Sequence, residues 1–126
     1  MRILLDTHLL LWWLTNSSSL SAKARILISE PANTVFVSAV SLWEIWLKVS
    51  LGKLRVPDSF EERLGNEFFE SLPLTSRHTR EISLLPWHHR DPFDRMLVAQ
   101  AKAEKLVLLT ADNSIGAYGE FVLCLH

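Results

Sequence analysis

Sulfur chemistry is almost absent from this sequence, in which Cys124 is the single cysteine. No intramolecular disulfide and no thiolate cage for a metal can form, and a reducing compartment suits the chain better than a secreted one. A surplus of charge is missing too. Thirteen lysines and arginines stand against fourteen aspartates and glutamates, a formal net charge of −1. That balance excludes a strongly basic module that holds nucleic acid by bulk charge, so any such contact must be local. Long apolar runs are lacking as well. The longest uncharged stretch follows Asp6 and ends before Lys23, and Asn16 and Ser17 to Ser19 break it into something too short and too polar for a membrane span. Met1-Arg2 followed by Ile3-Leu4-Leu5-Asp6 offers neither the basic leader nor the cleavage site of a signal peptide. The expectation is a cytoplasmic chain that starts at Met1 and carries no anchor.

What is present is the material for one core. The 126 residues are 48% apolar, which suits a single domain over residues 1–126, with no repeat and no low-complexity tract. Ile3-Leu4-Leu5, Thr34-Val35-Phe36-Val37 and Leu106-Val107-Leu108-Leu109 are apolar without polar alternation, the pattern of parallel strands covered on both faces; Phe121-Val122-Leu123 is a weaker fourth. Helical spacing is expected over about 7–15, 21–29, 41–50, 58–70, 76–84 and 92–105. Phe60, Leu64, Phe68 and Phe69 make one stripe of the 58–70 segment. Strands alternating with helices imply crossover connections and a three-layer α/β/α sandwich around a parallel sheet.

Four acids sit where that fold would gather them. Taken singly, each has an ordinary explanation. Asp6 can cap the helix that follows it. Glu44 completes a Ser41-Leu42-Trp43-Glu44 capping box and stands four residues before Lys48. Asp94 follows Asp91-Pro92-Phe93, where Asp91 would cap and Pro92 would open the helix. Asp112 suits the Thr110-Ala111-Asp112-Asn113 turn. Asp94 nevertheless shares its face with Leu97, Val98 and Ala101, while Arg95, Lys102 and Lys105 mark the wet side, and an inward carboxylate needs a partner. Jointly, Asp6 and Asp112 end strands while Glu44 and Asp94 open helices, so all four belong to the carboxyl edge of the sheet. Carboxylates crowded there repel unless a cation neutralises them. Oxygen donors without a Cys or His set suit Mg²⁺ or Mn²⁺, which can hold a phosphodiester and activate water.

These residues resemble the PIN-domain nucleases, and within them the VapC-type ribonuclease toxins of type II toxin–antitoxin systems. Asp6-Thr7-His8 with Leu10-Leu11-Trp12-Trp13 is similar to the opening strand, first acid and first helix. Ser38-Ala39-Val40-Ser41-Leu42-Trp43-Glu44-Ile45, with Lys48 and Gly52-Lys53-Leu54, is similar to the second-acid block. His89 to Ala101 resembles the third-acid helix, and Leu109-Thr110-Ala111-Asp112 the fourth. The resemblance implies that Asp6, Glu44, Asp94 and Asp112 are catalytic metal-binding acids of a Mg²⁺- or Mn²⁺-dependent endoribonuclease. It also implies a homodimer and a cognate antitoxin that covers the site. Where relatives often carry a further acid or basic residue after the fourth acid, this chain has Asn113-Ser114, which leaves the number of ions open.

Other residues have secondary readings. Thr7 and Thr110 are candidates to steady a ligating carboxylate or to end strands, and Asp91 either joins the site or caps. Arg77, Arg80, Arg90 and Arg95 with His88 and His89 form the one basic-leaning region, either a phosphate contact or a solvated loop. Trp12, Trp13, Trp43 and Trp46 are expected in core or interface, although tryptophans, Trp87 among them, can also stack on bases. Two rival functions stand beside the nuclease. A phosphoacceptor signalling domain would want paired acids on the first strand and a lysine after the last core strand, and a PIN-like scaffold would bind RNA without cutting it.

Overall fold

Strand β1 (Arg2–Leu5) is the centre of the fold. In the computed structural model, which describes residues 1–126, it lies between β2 (Thr34–Ser38) and β4 (Val107–Thr110). β3 (Glu70–Leu72) lies outside β2, and β5 (Val122–Cys124) outside β4. Every pairing is parallel, with Ile3 opposite Val35 on one side and Val107 on the other. Because successive residues of a strand face opposite ways, Ile3 and Leu5 join Val35, Val37 and Leu109 in one core, while Leu4 and Leu108 enter a second. The continuous apolar runs thus feed two cores at once, as strands covered on both faces must.

Helices α1 (Thr7–Leu14), α2 (Ala22–Ser29) and α4 (Phe60–Gly65) close the first core through Leu9, Leu10, Leu14, Ala24, Ile28 and Phe60. Helix α6 (Pro92–Glu104) closes the second with Leu97, Val98 and Ala101, and α5 (Ser76–Ser83) packs on α6. Helix α3 (Ala39–Ser50) supplies Val40 to one core and Ile45 to the other and touches both α1 and α6. The expected three-layer sandwich is the one observed.

Two boundaries differ from the sequence reading. The segment 58–70 is helical only to Gly65, and Glu70–Leu72 instead pairs with β2, Phe36 opposite Glu70. The stripe of Phe60 and Leu64 runs on to Phe68 by coincidence of spacing: Phe60 is buried, whereas Phe68 is fully exposed. A three-residue edge strand gains its hydrogen bonds from a partner over thirty residues away in sequence, which no local periodicity reports. In α3 the cap is Ser38, whose Oγ accepts from the Val40 N–H, so the helix starts directly at the end of β2. Glu44 therefore lies in its second turn and does not close a capping box with Ser41.

Arg95 is a third correction. Placed by helical spacing on the wet side with Lys102 and Lys105, it is buried, while those two lysines are exposed. Its guanidinium donates to the carbonyls of Pro86 and Ile82 (2.9 and 3.2 Å) and to the Tyr118 hydroxyl (3.0 Å), and lies 3.7 Å from the centroid of the Trp87 ring. These bonds fasten the 84–91 segment that leads into α6. Arg95→Ala would remove three part-buried hydrogen bonds from a charged donor, each worth about 1.5–3 kcal/mol, so we expect a loss of about 3 kcal/mol in urea unfolding with an unchanged m-value. A loss under about 1 kcal/mol would show that this arginine does not hold the segment.

Candidate metal centre

The carboxyl ends of β1 and β4 are neighbours in the sheet; Asp6 follows β1 directly, and Asp112 follows β4 after Ala111. Asp6 caps α1: its Oδ1 accepts from the Leu9 N–H at 2.8 Å, and its Oδ2 accepts from the Thr110 hydroxyl. The same Thr110 oxygen accepts from the Asp112 N–H at 3.0 Å, so one hydroxyl at the end of β4 ties the two aspartates together. Asp112 in turn caps a short 3-10 segment, Asn113–Tyr118, by accepting from the N–H and the hydroxyl of Ser114 (2.9 and 2.7 Å). Thr7, by contrast, donates to Ser41 on α3 and holds no carboxylate.

Asp94 arrives from the opposite layer. Asp91 caps α6, accepting from the Phe93 and Asp94 N–H groups, and Pro92 takes the first helical position, so both expectations for this motif hold. Asp94 is then the third residue of the helix, and His89 Nε2 donates to its Oδ2 at 2.8 Å. The Nδ1 of the same ring lies 3.2 Å from Ser114 Oγ, which donates to Asp112. One ligating atom each from His89, Asp94 and Asp112 lies within 4.8 Å of the other two. His89 is the residue that spacing missed. It stands in a loop five residues before Asp94, in the basic-leaning stretch and at the head of the block that resembles the third-acid helix, and neither position marks it as a ligand.

Glu44 reaches this region by another route. It is buried, its Oε2 accepts from Lys48 Nζ at 2.5 Å as the four-residue spacing implies, and its Oε1 has no hydrogen-bond partner. Lys48 also feels the charges of Asp91 and Asp94. Glu44 lines a groove of about 390 Å³ with Thr7, Lys48, Lys53 and Arg55, and His8 and Trp12 divide it from a second of about 460 Å³ that exposes Asp6 and Asp112. The acids therefore do not form one cluster: Asp94 and Asp112 gather with His89, Asp6 adjoins Asp112 through Thr110, and Glu44 lines the groove beside them.

Electrostatics sort them further. Burial pushes the Asp94 carboxyl up to about 6, helped by the like charges of Asp91 and Asp6 and opposed by the His89 hydrogen bond. Burial also raises Asp6, against its bonds from Thr110 and Leu9, with Asp112 adding repulsion. Asp112 moves the other way, because Ser114 bonds its charged form. The buried Asp6 and the half-buried Asp94, which hold their charge at a cost, together with the unpartnered Glu44 oxygen, are what a divalent cation would relieve, and carboxylate oxygens are its natural donors.

Among the secondary candidates, Arg77, Arg80 and Arg90 are exposed. Trp12 and Trp13 are half-buried, whereas Trp43 and Trp46, expected in core or interface, are exposed and so are not in this chain's core.

The PIN domain family model matches residues 3–120. The fold is similar to VapBC2 of Rickettsia felis, bound to a DNA fragment from its promoter, with a TM-score of 0.73 and 14% identity over 99% of this chain and 98% of that one. It is also similar to FitAcB of Neisseria gonorrhoeae (TM-score 0.64, 22% identity, 90% and 89% covered). A third likeness is to VapC20 of Mycobacterium tuberculosis, a sarcin-ricin loop cleaving toxin (TM-score 0.60, 18% identity, 93% and 95% covered). No curated protein sequence matches the chain.

The raised Asp94 value has a definite sign. The folded protein keeps this proton up to about pH 6, whereas the unfolded chain releases it near 3.8. The charged carboxyl thus works against the fold above about pH 6, and the penalty fades as pH falls through that value toward 3.8. In EDTA, Asp94→Asn is expected to melt a few degrees above the parent at about pH 7.5, with the gap closing at about pH 4.5. A variant that melts below the parent at the higher pH would make Asp94 a stabilising cap.

Proposed function

Since the chain belongs to the PIN-domain family, we propose that it is a metal-dependent endoribonuclease and the toxin of a toxin–antitoxin pair, with Asp6, Glu44, Asp94 and Asp112 as the catalytic metal-binding acids. The observation that carries this reading is the cluster in which one ligating atom each of Asp94, Asp112 and His89 lies within 4.8 Å of the other two, with Asp6 close enough for its charge to act on Asp94. A bound Mg²⁺ or Mn²⁺ supplies an activated water and offsets the charge on a phosphodiester and its leaving oxygen. The chain's own residues position what surrounds that chemistry. Thr110 and the Leu9 amide fix the Asp6 carboxylate, Ser114 fixes that of Asp112, and Lys48 holds one oxygen of Glu44 while leaving the other unpaired. A carboxylate so fixed keeps its lone pairs aimed without reorganisation at the moment of reaction. Ser114 Oγ lies 3.2 Å from His89 Nδ1 but gives its proton to Asp112, so that hydroxyl is not activated by the imidazole, which agrees with attack by water. The intact acids speak against a scaffold that only binds RNA, and the family match speaks against a phosphoacceptor.

An RNA substrate, a homodimer and a cytoplasmic setting complete the reading. So does a cognate antitoxin, for which the complexes of Rickettsia felis VapBC2 and of a Klebsiella pneumoniae toxin–antitoxin pair give structural precedent. Its place is the apolar surface of α3, where Trp43 is 59% and Trp46 38% exposed beside the acidic centre.

Cleavage of total RNA by the purified protein should cease in EDTA and return with Mn²⁺. Asp6→Asn, Glu44→Gln, Asp94→Asn and Asp112→Asn should each lower the rate by at least about a hundredfold. Cleavage undiminished by chelator, or near-normal rates in two of the four variants, would contradict the proposal.

A further inference from the structure

The sheet edge carries a donor that is not an oxygen. We propose that His89 is a nitrogen ligand of the metal at this edge, completing a set with Asp94 and Asp112 that favours Mn²⁺ over Mg²⁺. The inference rests on the metal reading above and adds the identity of a ligand and a preference between ions.

Three observations converge on this ring. The first is distance. The ligating atoms of His89, Asp94 and Asp112 fall within 4.8 Å of one another, and two donors about 2.2 Å from one ion stand at most about 4.4 Å apart. A closure of a few tenths of an ångström suffices. The second is fixation. The His89 backbone N–H donates to the Tyr118 hydroxyl at 3.1 Å, and that hydroxyl also accepts from the buried Arg95 guanidinium. The loop is thus held from behind, and the His89 side chain is only 21% exposed, with both ring nitrogens turned to partners of the acidic centre. The third is chemistry. Mg²⁺ takes oxygen donors and keeps much of its water, whereas first-row transition ions gain affinity at mixed N/O sites in an order that begins with Mn²⁺, so a nitrogen in the set separates Mn²⁺ from Mg²⁺. Ser114 can hold either ring nitrogen or Asp112, so its hydroxyl stays with Asp112 when the ring turns to an ion.

His8 is the competing nitrogen. It borders the groove with Asp6 and Asp112, but it is exposed and hydrogen-bonds to none of the acids. The test is pulsed EPR of Mn²⁺ bound to the parent protein, unlabelled and with ¹⁵N-histidine, alongside His89→Gln, His8→Gln and Asp94→Asn. We expect a directly bound nitrogen whose coupling follows the label, vanishes in His89→Gln and persists in His8→Gln. In titrations, His89→Gln should weaken Mn²⁺ binding by about 10- to 100-fold and Mg²⁺ binding by less than about threefold. Mn²⁺ bound in an Asp94-dependent way without nitrogen coupling, or with coupling lost in His8→Gln instead, would overturn the role of His89 and leave the acids as ligands. Absent binding, or binding undiminished in Asp94→Asn, would overturn the metal reading and this assignment with it. The labelled parent carries the decisive signal, so the outcome does not hinge on how the variant folds.

Discussion

A sheet whose strands all run one way puts every strand's carboxyl end on one edge, and that constraint governs the molecule. Asp6 and Asp112 leave neighbouring strands there, α3 starts there at Ser38, and α6 starts close enough for Asp94 to feel the charge of Asp6. The same atoms serve fold and site. Asp6 Oδ1 ends the first turn of α1, and its Oδ2 takes the Thr110 hydroxyl. Capping does not exclude the proposed metal binding for this residue, because each carboxylate oxygen has a second lone pair beyond the one its hydrogen bond uses.

The arrangement sets stability against function. A carboxyl whose folded pKa is lifted by burial costs the fold free energy wherever it is charged. The chain tolerates this at Asp6 and Asp94 because the surrounding cores are well filled, with Ile3, Leu4, Leu97 and Leu109 wholly buried. It also supplies local relief through hydrogen bonds that favour the charged forms: His89 to Asp94, Thr110 and Leu9 to Asp6, Ser114 to Asp112. Strain confined to one edge of an otherwise consistent fold is the usual mark of a working site.

Much of this was legible in the sequence, and for a physical reason. A strand buried on both faces has no choice but to be apolar throughout, so β1, β2 and β4 announce themselves, and Asp91-Pro92 marks the start of α6 because only that chemistry suits a helix N-terminus. What escaped depends on partners distant in the chain. β3 exists only by pairing with β2, and Arg95 is buried only because Pro86, Ile82, Trp87 and Tyr118 surround it. Among the candidate site residues, the four acids follow from pattern and resemblance; Asp94 and Asp112 gather with His89, Asp6 adjoins Asp112 through Thr110, and Glu44 lines the groove beside them. His89 has no periodic position to betray it, since a loop residue's direction is set by tertiary contacts alone. At Trp43 and Trp46 the apolar helix left core and interface open, and the closed fold excludes the core, since both rings are exposed.

The central claim is that this edge is built around a divalent cation, and the most direct measurement is anomalous diffraction from crystals of the protein grown with Mn²⁺. The account predicts a manganese peak at the carboxyl edge, about 2.2 Å from oxygens of Asp94 and Asp112 and with Asp6 facing it. An edge without a peak, in crystals where manganese sits elsewhere on the surface, would contradict it.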